Sequence, residues 1–163
     1  MCISIFKNKW QKFTPTEEFL YAIKDLTSIK KLHEFLKTYT WIKEIKDYWK
    51  TPEEFLLESG DCEDFSIFAL YILVKVIGIE EARFVFHNGY DYERWGKTKK
   101  GHAICAFPYR DKLAIFDQNK FKSGFDDYEE IGHYTFPDGL KYQEVRDWQG
   151  KILSRKYNWF RTF

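Results

Sequence analysis

Gly60-Asp61-Cys62-Glu63-Asp64-Phe65-Ser66-Ile67-Phe68-Ala69-Leu70-Tyr71-Ile72-Leu73-Val74-Lys75-Val76-Ile77-Gly78 is the stretch that decides the fold. Phe65, Phe68, Ala69, Ile72, Leu73 and Val76 recur at helical spacing on one face, and Ile67, Leu70, Tyr71, Val74 and Ile77 make the opposite face apolar too. A helix that is apolar all round sits buried at the centre of a domain, and Gly78 ends it. At the start, Asp61 is placed as N-cap and Asp64, three residues later, closes a capping box. Cys62 therefore falls in the first helical turn, where unpaired backbone N–H groups and the helix dipole favour a thiolate. The neighbouring carboxylates act the other way and raise the thiol pKa unless they cap, pair or bind a cation. An isolated cysteine is ordinarily a buried space-filler; the capped helix entrance marks Cys62 as a candidate nucleophile, with its activation owed to a base elsewhere.

Upstream, Thr14-Pro15-Thr16-Glu17 and Thr51-Pro52-Glu53-Glu54 each set a hydroxyl cap, then Pro at the first helical position, then Glu three residues after the cap. Phe19, Leu20, Ile23 and Leu26 continue one amphipathic helix, and a cap at Ser28 opens a second through Leu32, Phe35 and Leu36. The Thr51 box launches a short helix that Ser59-Gly60 stops. Downstream the pattern changes to β-type runs at Arg83 to His87, Gly101 to Phe107 and Leu113 to Asp117, with two or three further short strands expected after them. Helices first and strands second is an α+β order: N-terminal helices and a central buried helix packed on an antiparallel sheet, in one domain over 1–163. The connector from Asn88 to Lys100, with Tyr90, Tyr92, Trp95 and several lysines, reads either as a lid or as a solvated hairpin extension.

Of the four histidines, His33 reads as a surface residue, His133 lies in an ill-defined region, and His87 is the rival to His102 as a base. Strand alternation puts His102, Ile104 and Ala106 on one face and Cys105 on the other. A four-residue loop, Pro108 to Asp111, pairs Phe107 with Lys112 and sets His102 directly opposite Asp117, whose carboxylate then orients the imidazole. A two-residue loop moves Asp117 off that position.

Charge and composition narrow the classes of partner. Basic and acidic residues number 26 and 25, with no block of one sign, so capture of nucleic acid or an anionic membrane is not indicated. Aromatics at 20% exceed what a core of this size needs and leave rings for a cleft. Three cysteines without a CxxC pair give neither a disulfide framework nor a zinc knuckle. With no long apolar run, and an amino end that does not read as a leader, the expectation is a soluble, cytoplasmic protein.

The run from Asp47-Tyr48-Trp49-Lys50-Thr51-Pro52-Glu53 to Gly60-Asp61-Cys62-Glu63-Asp64-Phe65, followed by Gly101-His102-Ala103 and Phe116-Asp117, resembles the bacterial transglutaminase-like cysteine proteinases over roughly residues 41–119. The resemblance implies a papain-like α+β core with Cys62 as nucleophile, His102 as base and Asp117 as orienting carboxylate. It implies a protein or peptide substrate cleaved through a thioester, with no cofactor required. Acyl transfer to an amine and a catalytically silent binding or structural protein are the alternatives. Calcium, which some relatives bind, maps onto Asp61, Glu63 and Asp64, in competition with capping and salt bridging by the same carboxylates. For the oxyanion, the Cys62 N–H is one donor and the Trp49 indole N–H the candidate second.

Overall fold

A computed structural model describes residues 12–44 and 48–158. The amino end whose sequence reads as leaderless, and Asp47 at the head of the motif run, lie outside the described residues.

Helices precede strands along the chain. Helix α1 spans Glu17–Ile23, α2 Ile29–Leu36, α3 Pro52–Glu58 and α4 Cys62–Ile72; then come β1 (Arg83–Tyr90), the single turn α5 (Tyr92–Trp95), β2 (Lys100–Tyr109), β3 (Lys112–Asp117), β4 (Lys120–Phe125), α6 (Tyr128–Thr135), β5 (Gly139–Arg146) and β6 (Ile152–Tyr157). The strands form one six-stranded antiparallel sheet in the order β4-β3-β2-β1-β5-β6. This is the expected α+β arrangement, with all three later strands present.

Local chemistry explains most helix ends. Thr51 caps α3 by accepting from the Glu54 amide, while the Glu54 carboxylate accepts from the Thr51 amide. Ser28 caps α2. For α1 the cap is Thr16, not Thr14: the Thr16 hydroxyl accepts from the Phe19 amide, so the helix begins two residues later than the Pro15 pattern suggests. Helix α6 has no counterpart in the sequence reading. Its signal is Asp127, which accepts from the Glu130 amide and precedes an acidic first turn that suits the helix dipole.

Two cores flank the sheet. On one face α4, buried from Asp64 to Leu70 and at Ile72, packs with α1 to α3 on Phe84, Ala103, Cys105, Phe107, Ala114 and Phe116. On the other, α6 contributes Ile131 to a smaller cluster with Val85, Ile104, Ala106, Ile115 and Val145. The central helix runs on through a π-helical turn, Leu73–Ile77, and Gly78 closes it at φ +89°, a left-handed conformation that costs glycine nothing. Among the described residues no helix is long and apolar enough to cross a membrane.

The β2–β3 hairpin corrects the four-residue loop. Tyr109 pairs with Lys112, so the loop is the two residues Arg110 and Asp111, both at positive φ (49° and 65°), the geometry of a type I′ turn. Phe107 therefore faces Ala114, not Lys112, and the register carries Asp117 opposite Ile104, one step diagonal from His102. Because the slip is by two residues, Asp117 stays on the His102 face.

Candidate active site

Cys62 opens α4, with Asp61 as N-cap accepting from the Glu63 amide at 3.2 Å. Asp64, fully buried, turns back beneath the entrance: one carboxylate oxygen accepts from the Lys50 amide at 2.7 Å and the other from the Asp61 amide at 3.1 Å. That carboxylate lies against the Cα of Gly60, where a Cβ would meet Asp64 Oδ2 at 2.2 Å, so residue 60 has to be glycine. Lys50 ties the same turn together, donating from Nζ to Ser59 O at 2.8 Å and pairing with Glu44 at 2.6 Å.

The thiol donates to Glu63 Oε2 at 2.9 Å. Burial holds the Cys62 pKa well above the usual thiol value, the Glu63 carboxylate adds to the effect, and the Ala103 backbone N–H opposes it. Burial, with the charge of Asp61, pushes Glu63 up to about 8. Burial likewise pushes Asp64 up to about 7, against the two N–H bonds that favour its ionised form. Of the three carboxylates flanking Cys62 in sequence, Asp61 and Asp64 cap the helix, while Glu63 and, more weakly, Asp61 oppose ionisation of the thiol.

His102, buried near the start of β2, donates from Nε2 to Asp117 Oδ1 at 2.7 Å. Burial works to raise the Asp117 pKa, but the His102 bond and charge, with Arg94 nearby, hold it below the ordinary carboxylate range. An ionised carboxylate only accepts, so the shared proton rests on Nε2. Trp95 lies with its ring centre 6.1 Å from that of His102 and 5.5 Å from Phe136, which sets this residue of the otherwise largely exposed α5 connector against the histidine.

Cys62 and His102 line one cleft of about 510 Å³ with Trp41, Lys43, Arg94, Trp95, Lys100, Gly101 and Gln118. A Cβ at Gly101 would meet the tip of the Phe86 ring, Cζ, at 2.7 Å, so a side chain there would have to displace that ring. Among the described residues no hydrogen bond links the Cys62 sulfur to the imidazole. The structure thus joins His102 to Asp117 directly and brings Cys62 to them across the cleft.

Of the other candidates, His87 adjoins His102 and the rest sit elsewhere. His87 pairs directly across from His102 in the sheet and is fully buried, with Nε2 3.0 Å from Gln143 Oε1 and Nδ1 unpartnered; burial pulls its pKa down to about 4 and keeps it neutral. His33 is half-buried rather than a free surface residue, its Nε2 3.2 Å from Asn119 O in the β3–β4 turn. His133 is exposed on α6. Cys105 is buried on the α4 face, away from His102, and its thiol pKa is raised by desolvation. Trp49 packs its ring 5.2 Å from that of Phe84 and is not among the residues lining the cleft.

The carboxylates of Asp61, Glu63 and Asp64 are engaged locally: both oxygens of Asp64 accept backbone N–H bonds, Asp61 accepts another and Glu63 accepts the thiol. Asp61 and Glu63 with Cys62, and Asp61 and Asp64 with Glu44, also bring one potential ligand atom each within 4.8 Å of the others. Arg94, Trp41, Lys43 and Gln118 carry no motif that would have announced them; they reach the cleft through the α5 connector, the segment before α3 and the β3–β4 turn. Compared with protein-family models and with curated proteins, the chain matches none.

Proposed function

We propose that the chain is a transglutaminase-like cysteine peptidase or amidase with a papain-like core, hydrolysing a peptide or isopeptide bond through a thioester on Cys62. The observation that carries this reading is the 2.7 Å His102–Asp117 bond beside a cleft that Cys62 also lines. With Nε2 held by an ionised Asp117, Nδ1 is the ring nitrogen left to take the thiol proton. The sulfur attacks the carbonyl carbon, the C–S bond forms, and the π pair moves to oxygen, where the Cys62 N–H at the helix entrance stabilises it. Collapse re-forms the carbonyl and breaks the C–N bond, and the amine leaves with the proton from the imidazolium. Water then gives a proton to His102 and attacks the thioester; the C–S bond breaks, the acid departs, and the imidazolium returns its proton to sulfur. An amine in place of water makes the same sequence an acyl transfer.

A silent binding protein is the second reading, favoured by the thiol bond to Glu63 in place of His102. A thiol-directed peptidase probe separates the two. The expected result is labelling that is lost in Cys62→Ala, weakened in His102→Ala and kept in Cys105→Ala; equal labelling of wild type and Cys62→Ala overturns the assignment. Incorporation of a fluorescent amine into casein, if it exceeds hydrolysis, assigns transferase in place of peptidase.

A further inference from the structure

The cleft beside Cys62 is far more basic than the chain that builds it. Lys43, Arg94 and Lys100 are among its nine lining residues, while basic and acidic residues nearly cancel over the whole sequence. The three come from separate segments, one before α3, one in α5 and one opening β2, so only folding brings their charges together. Among the described residues none of the three has a carboxylate at ion-pair distance. The carboxylates beside the catalytic groups are engaged locally, Glu63 by the thiol, Asp61 by the Glu63 amide and Asp117 by His102. Arg94 is also held in place: its guanidinium lies 4.5 Å over the Trp95 ring, and its amide donates to Asp91, the cap of α5. A cation ordered by stacking loses less freedom on meeting a carboxylate, and the guanidinium fork suits that partner.

A cleft lined by one sign of charge and walled by apolar rings concentrates field and selects ligands of the opposite sign. Trp41 and Trp95 provide the rings, and Trp41 is exposed to receive an apolar stem. We propose that the cleft selects acyl donors carrying a carboxylate beside the scissile amide, recognised by Lys43, Arg94 and Lys100. The inference rests on Cys62 being the nucleophile, but its test does not require turnover. The carboxylate could be an Asp or Glu side chain or the terminus of a peptide, and the two sources share the same chemistry.

The test measures binding of four fluorescent peptides to the full chain carrying Cys62→Ala, by anisotropy. One peptide has a central Glu, one has Gln in its place, and a neutral pair differs only in a free or amidated carboxyl terminus. Solvent-exposed cation pairs predict that the preferred anionic peptide binds about tenfold tighter than its neutral twin, with the margin shrinking as salt is added. The margin is expected to vanish when Lys43→Gln, Arg94→Gln and Lys100→Gln are combined. A Glu-over-Gln preference identifies a side-chain carboxylate; a free-over-amidated preference identifies a chain terminus. Equal affinities within both pairs, absence of binding by all four, or a margin that survives the triple substitution overturns the proposal. The peptidase reading fails separately, on the probe labelling of Cys62.

Discussion

Replacing Glu63 by Gln tests the electrostatics of the helix entrance most directly. In the folded chain the Glu63 carboxyl is pushed up to about 8, first by burial and then by Asp61, from an ordinary 4.5. Between those values the folded state keeps a proton that the unfolded chain has lost. Stability is therefore full below the unfolded pKa and falls as pH rises through the window. Each pKa unit is worth ~1.4 kcal/mol, so the whole window would cost about 5 kcal/mol; sharing of the proton with the Cys62 thiol and Asp61 reduces this to roughly 2–3 kcal/mol. Asp64 titrates in the same direction in both proteins, so the difference between them isolates Glu63. At ~2–4 °C per kcal/mol for a chain of this size, wild type and Glu63→Gln melt together near pH 4.5, and the variant melts about 5–10 °C higher by pH 8.5. Thermal unfolding followed by circular dichroism across that range measures it. Alkylation of Cys62 should also begin at lower pH in the variant, because the carboxylate that disfavours the thiolate is gone. A Tm difference that stays constant with pH, or that moves in favour of wild type as pH rises, refutes the reasoning.

Three further outcomes follow from particular contacts. Gly60→Ala drives a Cβ into Asp64 and disturbs the acceptor of one buried and one part-buried amide, which should cost about 2–4 kcal/mol in urea unfolding; a loss below ~0.5 kcal/mol would show that the turn relaxes freely. Arg110→Asn combined with Asp111→Gly supplies residues that tolerate the positive φ at both turn positions and should stabilise by about 0.5–1 kcal/mol, read as a higher urea midpoint at unchanged slope. Asp117→Asn removes the charge that fixes the Nε2 proton of His102, and the proposed hydrolysis should fall about a thousandfold or more with KM little changed. Retention of most of the rate would remove Asp117 from the reaction.

What could be read from the residues alone was whatever depends on short-range chemistry. The Thr51 box, the Ser28 cap, the Asp61–Asp64 box and the Gly78 stop each act within a few residues of the helix end they define. Alternation along β2 separated His102 from Cys105 by the same local logic. The two-residue hairpin loop carries no local signal, because neither Arg110 nor Asp111 is the glycine that announces positive φ, and strand pairing holds them there. The α1 cap falls on Thr16 rather than Thr14, and the first turn of α6, Tyr128-Glu129-Glu130, reads as a polar loop unless the Asp127 cap is weighed.

Sequence by itself determined the entrance of α4 and the side of the sheet that bears His102 and Asp117. A strand repeats every two residues, so a register error of two left that side unchanged. Only the tertiary structure decided which carboxylate meets the sulfur, that His87 lies buried and neutral beside His102 on the neighbouring strand, and that Lys43, Arg94 and Lys100 line the same cleft as Cys62. Those contacts join segments distant along the chain, and no local periodicity encodes the distance between them.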